Sequence, residues 1–312
     1  MSVRRRAGVA RGRSDPAMPV QANCEVIARR QDGPYWLLSL AAPEIARRAR
    51  AGQFVNVAVE APGTMLRRPF SIAGITRQGA AAGTIDIVFD AHGSGTRWLT
   101  TAGLHDVIDV IGPLGNGFPL PQRRVGCLLV GGGYGVAPLI PLARDLTDRQ
   151  LRVDMLVGAA SAERLHSPVE ARSASVSATF TTEDGSYGVQ GRVTDVLAEI
   201  LTDTGAGVVY ACGPNAMLRA VSDVCADVGI PVQVAVEEHM ACGVGVCFTC
   251  VMPVRGRDGT SRMRRTCLEG PVLNGARVAW DETRWAAPVE VGEMGDPAEP
   301  VGDGLLDAGE VT

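Results

Sequence analysis

With 312 residues, 46% of them hydrophobic and 21% charged, the chain is long for a single core and reads as a globular protein of two or three domains. A formal charge of -4 argues against nucleic acid as the main partner, and 4% aromatic residues are too few for a base-stacking platform. Every one of the 30 basic Lys+Arg positions is Arg, which excludes a Walker A loop, a Schiff-base lysine and a lysine general base.

The first 17 residues, opening MSVRRRAGVARGRS, are basic but are followed by no apolar run. They are expected to form a disordered arm and not a secretory signal. No stretch approaches 18 uninterrupted apolar residues, so no membrane span is expected. From 18 to 120 short β runs alternate with turns: CEVIARR, YWLLSLAA, FVNVAVE, FSIAGIT, TIDIVFDA and VIDVIG. Strands at this spacing, punctuated by DGP, APG and GPLGNG, predict a small antiparallel β-barrel.

Two motifs lie inside that barrel. In LRRPFSI, Arg68 can pair with a pyrophosphate, the Phe70 ring can stack on a planar heterocycle and the Ser71 hydroxyl can bond its edge. An exposed edge strand with solvated arginines is the plainer alternative. In HGSGTRWL, Gly93, Gly95 and Thr96 form a turn before a helix expected to start near Arg97. Its backbone N–H groups could receive a phosphate, or Thr96 could simply cap the helix.

From 121 to 235 strands and helices alternate, which predicts a doubly wound parallel sheet. A buried strand running into glycines is expected at VGCLLVGGGYG, further strands at VDMLVGAA, ATFTTED, VVYACG and VQVAVEE, and helices at VAPLIPLARDLTD, SAERL, RVTDVLAEILTD and NAMLRAVSDVCADVG. The loop GGGYGVAPL carries Gly131, Gly133, Gly135, Ala137 and Pro138 where the first strand meets its helix. Glycines there let a dinucleotide's phosphates approach the backbone, although a plain strand-to-helix turn also accommodates them. YACGPNAML places Cys212, Gly213 and Pro214 at the end of a later strand, at the edge where doubly wound folds bind ligands. Cys212 is read as lining the nicotinamide pocket, against the alternative of a small buried hydrophobe.

The segment 236–286 holds Cys242, Cys247, Cys250 and Cys267 in the pattern C-x4-C-x2-C-x16-C. The first three have the plant-type spacing of a [2Fe–2S] cluster, and a four-thiolate zinc site is the alternative. Asp258 and Gly259 mark a hairpin that would return Cys267 to the other three. Arg255, Arg257, Arg262, Arg264 and Arg265 crowd this hairpin, either as a solvated face or as a dock for an acidic partner. The remaining cysteines, Cys24, Cys127, Cys212 and Cys225, are scattered among apolar neighbours, which fits a reducing compartment and predicts a cytoplasmic protein. His92, His105, His166 and His239 lack ligand spacing. The tail at 287–312 is acidic, rich in Gly and Pro, and expected to be disordered.

LRRPFSI, GGGYGVAPL and YACGPNAML together resemble the ferredoxin–NADP reductase superfamily. TEDGSYGVQGRVTDVL, EEHMACGVGVCFTC and CLEGPVLNG narrow the resemblance to the electron-transfer subunits of class 1B dihydroorotate dehydrogenase, over about Met18 to Asp281. The short final gap before Cys267 separates this group from reductases fused to full plant-type ferredoxin domains. The resemblance implies FAD at Arg68, Pro69, Phe70 and Ser71, along Val88, Phe89 and Asp90, and on Gly95 and Thr96. It implies NAD at Gly131 to Pro138 and near Cys212, Gly213 and Pro214, and a [2Fe–2S] cluster on the four cysteines. Phe70 replaces the tyrosine of many superfamily members, so ring stacking is kept and a phenolic hydroxyl lost. Also implied are an FMN-containing catalytic partner, a heterotetramer and a role in pyrimidine biosynthesis, with no catalytic residue needed in this chain. A flavin iron–sulfur subunit serving ferredoxin, a hydrogenase or a sulfur reductase shares the same motifs.

Overall fold

The structure, a computed structural model, describes residues 18–283, so the arm at 1–17 and the tail expected at 287–312 lie outside the described residues. Six strands open the chain: β1 (Val20–Asp32), β2 (Tyr35–Ala41), β3 (Phe54–Val57), β4 (Arg68–Thr76), β5 (Thr84–Asp90) and β6 (Val107–Leu114). Successive side chains point to opposite faces of a strand. One face is consistently apolar, as in Leu38 and Leu40, Val55 and Val57, and Ile85 and Ile87, all fully buried. These residues fill the interior of a closed antiparallel barrel with the order β1-β2-β5-β4-β3-β6. Closure pairs β6 back onto β1, so no strand edge is left open to solvent. A helix not expected from the sequence, α1 (Pro43–Arg48), sends Ile45 and Ala46 into the same core. Proline at its start suits the fixed φ of a first helical turn. β3 ends at Val57, short of the run FVNVAVE, although Ala58 N still donates to Asp109 O of β6. The helix α2 (Ser94–Leu99) begins three residues before the expected Arg97.

The second domain contains β7 (Gly126–Gly132), α3 (Leu139–Asp148), β8 (Val153–Ala159), α4 (Pro168–Ala174), β9 (Ser177–Thr182) and β10 (Val189–Gln190). It continues with α5 (Val193–Thr204), β11 (Ala206–Cys212), α6 (Asn215–Asp227) and β12 (Val232–Ala235). On β7, Cys127 and Leu129 join the core shared with α3 and α4, while Leu128 and Val130 join that of α5 and α6. A strand buried on both faces must be apolar throughout, which is why VGCLLV reads as a continuous run. SAERL forms a single 3-10 turn, Ala162–Arg164, and is followed by the unexpected α4.

The cysteine segment adds β13 (Val251–Arg255), β14 (Ser261–Arg265), α7 (Thr266–Glu269) and β15 (Val272–Asn274). β13 and β14 form the expected hairpin, with Gly259 at φ 76° in its turn. β15 then returns to the large sheet, antiparallel to β12, giving the order β10-β9-β8-β7-β11-β12-β15. The cluster segment is therefore stitched to the sheet on one side. On the other side it is tied to the barrel by Asn116 N donating to Gly270 O.

Candidate redox site

A cavity of about 960 Å³ lies where barrel, sheet and cysteine segment meet, at the upper end of the usual size for a ligand pocket. Arg68 to Ser71, Val88 to Asp90 and Thr96 wall it from the barrel. Tyr134, Gly135, Ala137 and Pro138 come from the loop after β7, and Cys212 and Pro214 from the end of β11. Met240, Ala241 and Thr249 close it beside the cysteines. Gly95, Gly131, Gly133 and Gly213 are not among its lining residues.

On the barrel side, strand alternation turns Ser71 out into the cavity and Phe70 and Ile72 inward. The Phe70 ring lies 5.5 Å from that of Phe89, tilted by 46°, with only 9% of the residue exposed. It therefore offers the cavity an edge and serves mainly as barrel core. Arg68 rests on the first turn of α2, where a Cβ on Gly95 would come 2.9 Å from Arg68 Nε and 3.3 Å from Val59. The close approach brings a guanidinium and unpaired backbone N–H groups to one place, a donor set that fits a pyrophosphate. Gly93 occupies the cap position, and the Thr96 hydroxyl reaches back to accept from Gly93 N at 3.0 Å. The hydroxyl is thereby committed to the turn, which leaves the backbone to meet the phosphate. Replacing Gly95 with alanine should displace Arg68 and weaken FAD retention by about tenfold, roughly one hydrogen bond's contribution. Fluorescence titration of the deflavinated protein with FAD would measure this.

On the sheet side, Gly131, Cys212 and Ala235 lie abreast, since Cys212 pairs with Gly131 across β7 and with Ala235 across β12. Burial pushes the Cys212 thiol far up, so it stays a neutral, compact wall of the pocket. Tyr134, hidden in a loop whose glycines drew attention in the sequence, sets its ring 5.5 Å from Tyr35 across the domain junction. Glu237 was not singled out from the sequence because it sat in an apparent strand, VQVAVEE. The strand ends at Ala235 and frees Glu237 to line the cavity. Its carboxyl opens on the cavity yet is walled by protein, and that enclosure raises its pKa. The raised value favours the neutral form in the fold, so the group weakens stability as pH rises above its ordinary value of 4.5. Glu237→Gln should therefore melt above the wild type at neutral pH, with the difference vanishing below pH 4.5. Thermal melts across that range check the sign.

The four cysteines stand in two pairs. The Cys247 thiol is hydrogen-bonded with Cys242, and the Cys267 thiol with Cys250, all four being free thiols. The Cys242 charge also acts on Cys267, so the pairs face one site. Val246 N and Cys247 N both donate to Cys242 Sγ, at 3.3 and 3.5 Å. Gly243 and Gly245, at φ 68° and 85°, provide the left-handed turns this wrapping requires. Among the described residues no three Cys, His, Asp or Glu side chains gather around a single metal position. Two such pairs facing one site, with backbone donors aimed at Cys242 Sγ, supply the four thiolates that a [2Fe–2S] cluster would take. Cys250 and Cys267 are 1% and 2% exposed beside Phe54 and Leu114, whereas Cys247 is exposed. Hydrogen bonding, chiefly with Thr249, lowers the Cys247 thiol to about 6, which eases its ionisation for metal.

Most of the crowded hairpin arginines are neutralised within the chain. Arg255 pairs with Asp281, Arg262 with Asp258, and Arg264 and Arg265 with Glu269. Arg257 is exposed, with no such pair among the described residues. Of the histidines, His105 meets Glu25 at 2.6 Å, His166 is buried against Ser167, and His92 and His239 border the cavity.

A flavin-type barrel, a doubly wound sheet with its glycine loop and a four-cysteine module around one cavity define a nicotinamide-linked flavoprotein oxidoreductase with an iron–sulfur centre. Residues 237–279 match the iron-sulfur cluster binding domain of dihydroorotate dehydrogenase B, and residues 129–223 match the oxidoreductase NAD-binding domain. The dihydroorotate dehydrogenase B (NAD(+)) electron transfer subunit of Geobacillus thermodenitrificans is 40% identical over 245 residues, which cover 77% of this chain and 91% of the relative. That of Enterococcus faecalis is 33% identical over 257 residues, covering 81% and 96%. Among solved structures, that of an NADH-dependent reduced ferredoxin-NADP oxidoreductase superposes with a TM-score of 0.73 at 27% identity, over 84% of this chain and 91% of the other. The FAD/NAD-binding domain of a Vibrio cholerae nitric oxide dioxygenase shares the fold, with a TM-score of 0.60 at 18% identity over 68% and 96%. The chain belongs to the family of dihydroorotate dehydrogenase B (NAD⁺) electron transfer subunits.

Proposed function

We propose that the chain carries electrons from a catalytic dihydroorotate dehydrogenase subunit holding FMN, by way of a [2Fe–2S] cluster and FAD, to NAD⁺. One observation carries this reading. The cavity that collects the flavin motif and the nicotinamide strand ends is also walled by Ala241 and Thr249, the neighbours of Cys242 and Cys250. Two redox sites thus meet with a single residue between them.

When bound, FAD exchanges hydride with NAD and single electrons with the cluster, chemistry that belongs to the cofactors. The protein's own part is placement. Arg68 and the start of α2 hold the flavin phosphates, and Ser71 presents its hydroxyl to the ring. Gly131, Gly133, Gly135, Ala137 and Pro138 shape the nucleotide loop, and Gly213 and Pro214 carry the chain past Cys212 on the opposite wall. Val88, Phe89 and the buried side of Tyr134 keep water from the junction. Asn215 steadies the approach by donating from Nδ2 to Glu237 O at 2.9 Å. Cys242, Cys247, Cys250 and Cys267 hold the irons. The segments 18–120, 121–235 and 236–286 act as the flavin, nicotinamide and cluster units.

The outward pair of cysteines lies amid exposed apolar side chains, with Val246 74% and Phe248 61% exposed. This collar suits the docking of the FMN subunit, two copies of each chain forming a cytoplasmic heterotetramer. No helix among the described residues is long and apolar enough to cross a membrane.

Visible spectra of the purified protein before and after NADH under argon test the reading. Flavin bands in the blue with a longer-wavelength cluster shoulder, both bleached by NADH, are expected. A colourless protein containing zinc would sink it. Reconstitution with the FMN subunit should then give NAD⁺ reduction driven by dihydroorotate.

A further inference from the structure

We propose that Asn56, on the outer face of the barrel, is a positioning residue that holds the cluster-bearing loop against the flavin side of the molecule. The inference rests on the electron-path reading above and names one of the contacts that set its geometry.

Strand alternation on β3 sends Val55 and Val57 into the barrel core and Phe54 and Asn56 outward. Phe54 packs beside Cys250 and Cys267, so the outward face of β3 is the floor beneath the cluster loop. Asn56 is polar yet only 1% exposed on that floor. Its Nδ2 donates to the carbonyl oxygen of Cys242 at 3.0 Å, across 186 residues of chain. Gly243 is drawn in so tightly that a Cβ there would stand 2.6 Å from Nδ2 and 3.2 Å from Cγ of Asn56. Glycine at this point, with φ at +68°, is what allows the loop to rest on the amide.

The same residue is tied to the flavin motif. Asn56 lies opposite Pro69 in the β3–β4 ladder, next to Arg68. Its carbonyl accepts from Arg67 Nη1 at 3.5 Å, and Arg67 is braced by Asp109. One residue therefore joins the strand carrying the flavin motif to the peptide carrying the first cluster ligand.

The energetics point the same way. Asn56 Oδ1 is buried without a partner among the described residues, and an unsatisfied buried acceptor costs stability. A leucine would fill a similar volume without that cost. What the amide adds is a fixed donor to the backbone of a cluster ligand, and such hydrogen bonding around the ligands tunes a cluster's potential.

The test uses the full chain with its cofactors and the variants Asn56→Leu, Asn56→Asp and Gly243→Ala. Dithionite titration followed by electron paramagnetic resonance reports the cluster's potential and line shape without involving NADH. Stopped-flow mixing with NADH separates flavin bleaching from the later cluster phase. In Asn56→Leu the cluster phase should slow by about tenfold, the loss of one buried hydrogen bond. The line shape should shift, and Gly243→Ala should move both readouts in the same direction by pushing the amide off Cys242. Asn56→Asp keeps the shape but sets a carboxyl oxygen where the amide donor faces Cys242 O, and should shift the cluster's potential and line shape. It decides the matter if the leucine variant fails to fold. An unchanged line shape and potential in both Asn56→Asp and Gly243→Ala would overturn the proposal. Failure of NADH to bleach the wild-type flavin would fall on the electron-path reading alone, because the dithionite readouts stand apart from it.

Discussion

Replacing Cys267 with alanine should remove the long-wavelength iron–sulfur absorption and cut dihydroorotate-driven NAD⁺ reduction by more than about 100-fold, since even a supporting residue of a metal site can cost that much. Cys267 has no substitute within reach. It stands 2% exposed in the pair with Cys250, and the backbone of Thr266 bonds to Cys250 O at 2.9 Å to keep the two together. Removing one thiol leaves Cys250 as the lone ligand on the buried side, in an apolar setting with Phe54 and Leu114. Burial and the neighbouring Cys250 hold the Cys267 thiol up at about 12, so without iron it remains a neutral hydrophobe and its loss strains little. Flavin and nicotinamide walls take no residue from α7, so NADH should still bleach the flavin at the wild-type rate. Flavin bleaching that fails together with the cluster would show that Cys267 organises the whole junction. Retained cluster absorption would remove it from the ligand set.

How much of this was legible in advance depended on the range of the forces involved. The six barrel strands are local: alternation such as Ile85 and Ile87 against Asp86 shows in any short window, and all six formed. Their order in the barrel is set by pairings such as Cys24 with Ile108, more than eighty residues apart, which no local pattern encodes. Helices α1 and α4 were missed because each is short and starts at a proline after small or polar residues, where turn signals dominate. β15 falls within the cysteine module in the sequence, since Val272 and Leu273 come five and six residues after Cys267. Their partner strand, β12, is some forty residues upstream. Cluster cysteines and the glycine loop announce themselves because their chemistry fixes residue type and spacing together. Glu237 and Asn56 do not: a lone carboxylate and a lone amide acquire their roles from what the fold places around them. The hairpin arginines leave two readings open in the sequence, a solvated face or a dock for an acidic partner, and only the fold shows that acids from Asp258 to Asp281 pair with four of the five.

Gly135→Ala should reduce NADH-dependent flavin bleaching by about 100-fold in kcat/KM, the effect of misplacing a reacting group by roughly 1 Å. Gly135 sits in the nucleotide loop directly against the turn after β11. A Cβ there would come 2.7 Å from Cys212 O and 2.8 Å from Gly213 Cα. Both are backbone atoms of a strand end locked between β7 and β12, so no side chain can swing away to make room. Relief requires the loop and the Cys212 turn to part by roughly 1 Å to recover an ordinary contact distance. That separation opens the place proposed for the nicotinamide, between Cys212 and the flavin wall. Overpacking of this kind typically costs about 1–3 kcal/mol, which a chain of this size can absorb, so the variant should fold. The clash falls on the backbone of Cys212 and Gly213 and on no barrel atom, so FAD should remain bound and the blue flavin bands unchanged. Dithionite should bleach them as in the wild type while NADH bleaches them slowly, the loss falling on KM as well as kcat because both binding and placement suffer. A variant with wild-type NADH kinetics would mean that the pyridine nucleotide does not use this loop. The assignment of Gly131 to Pro138 would then have to be abandoned, even though the flavin and cluster sites would stand.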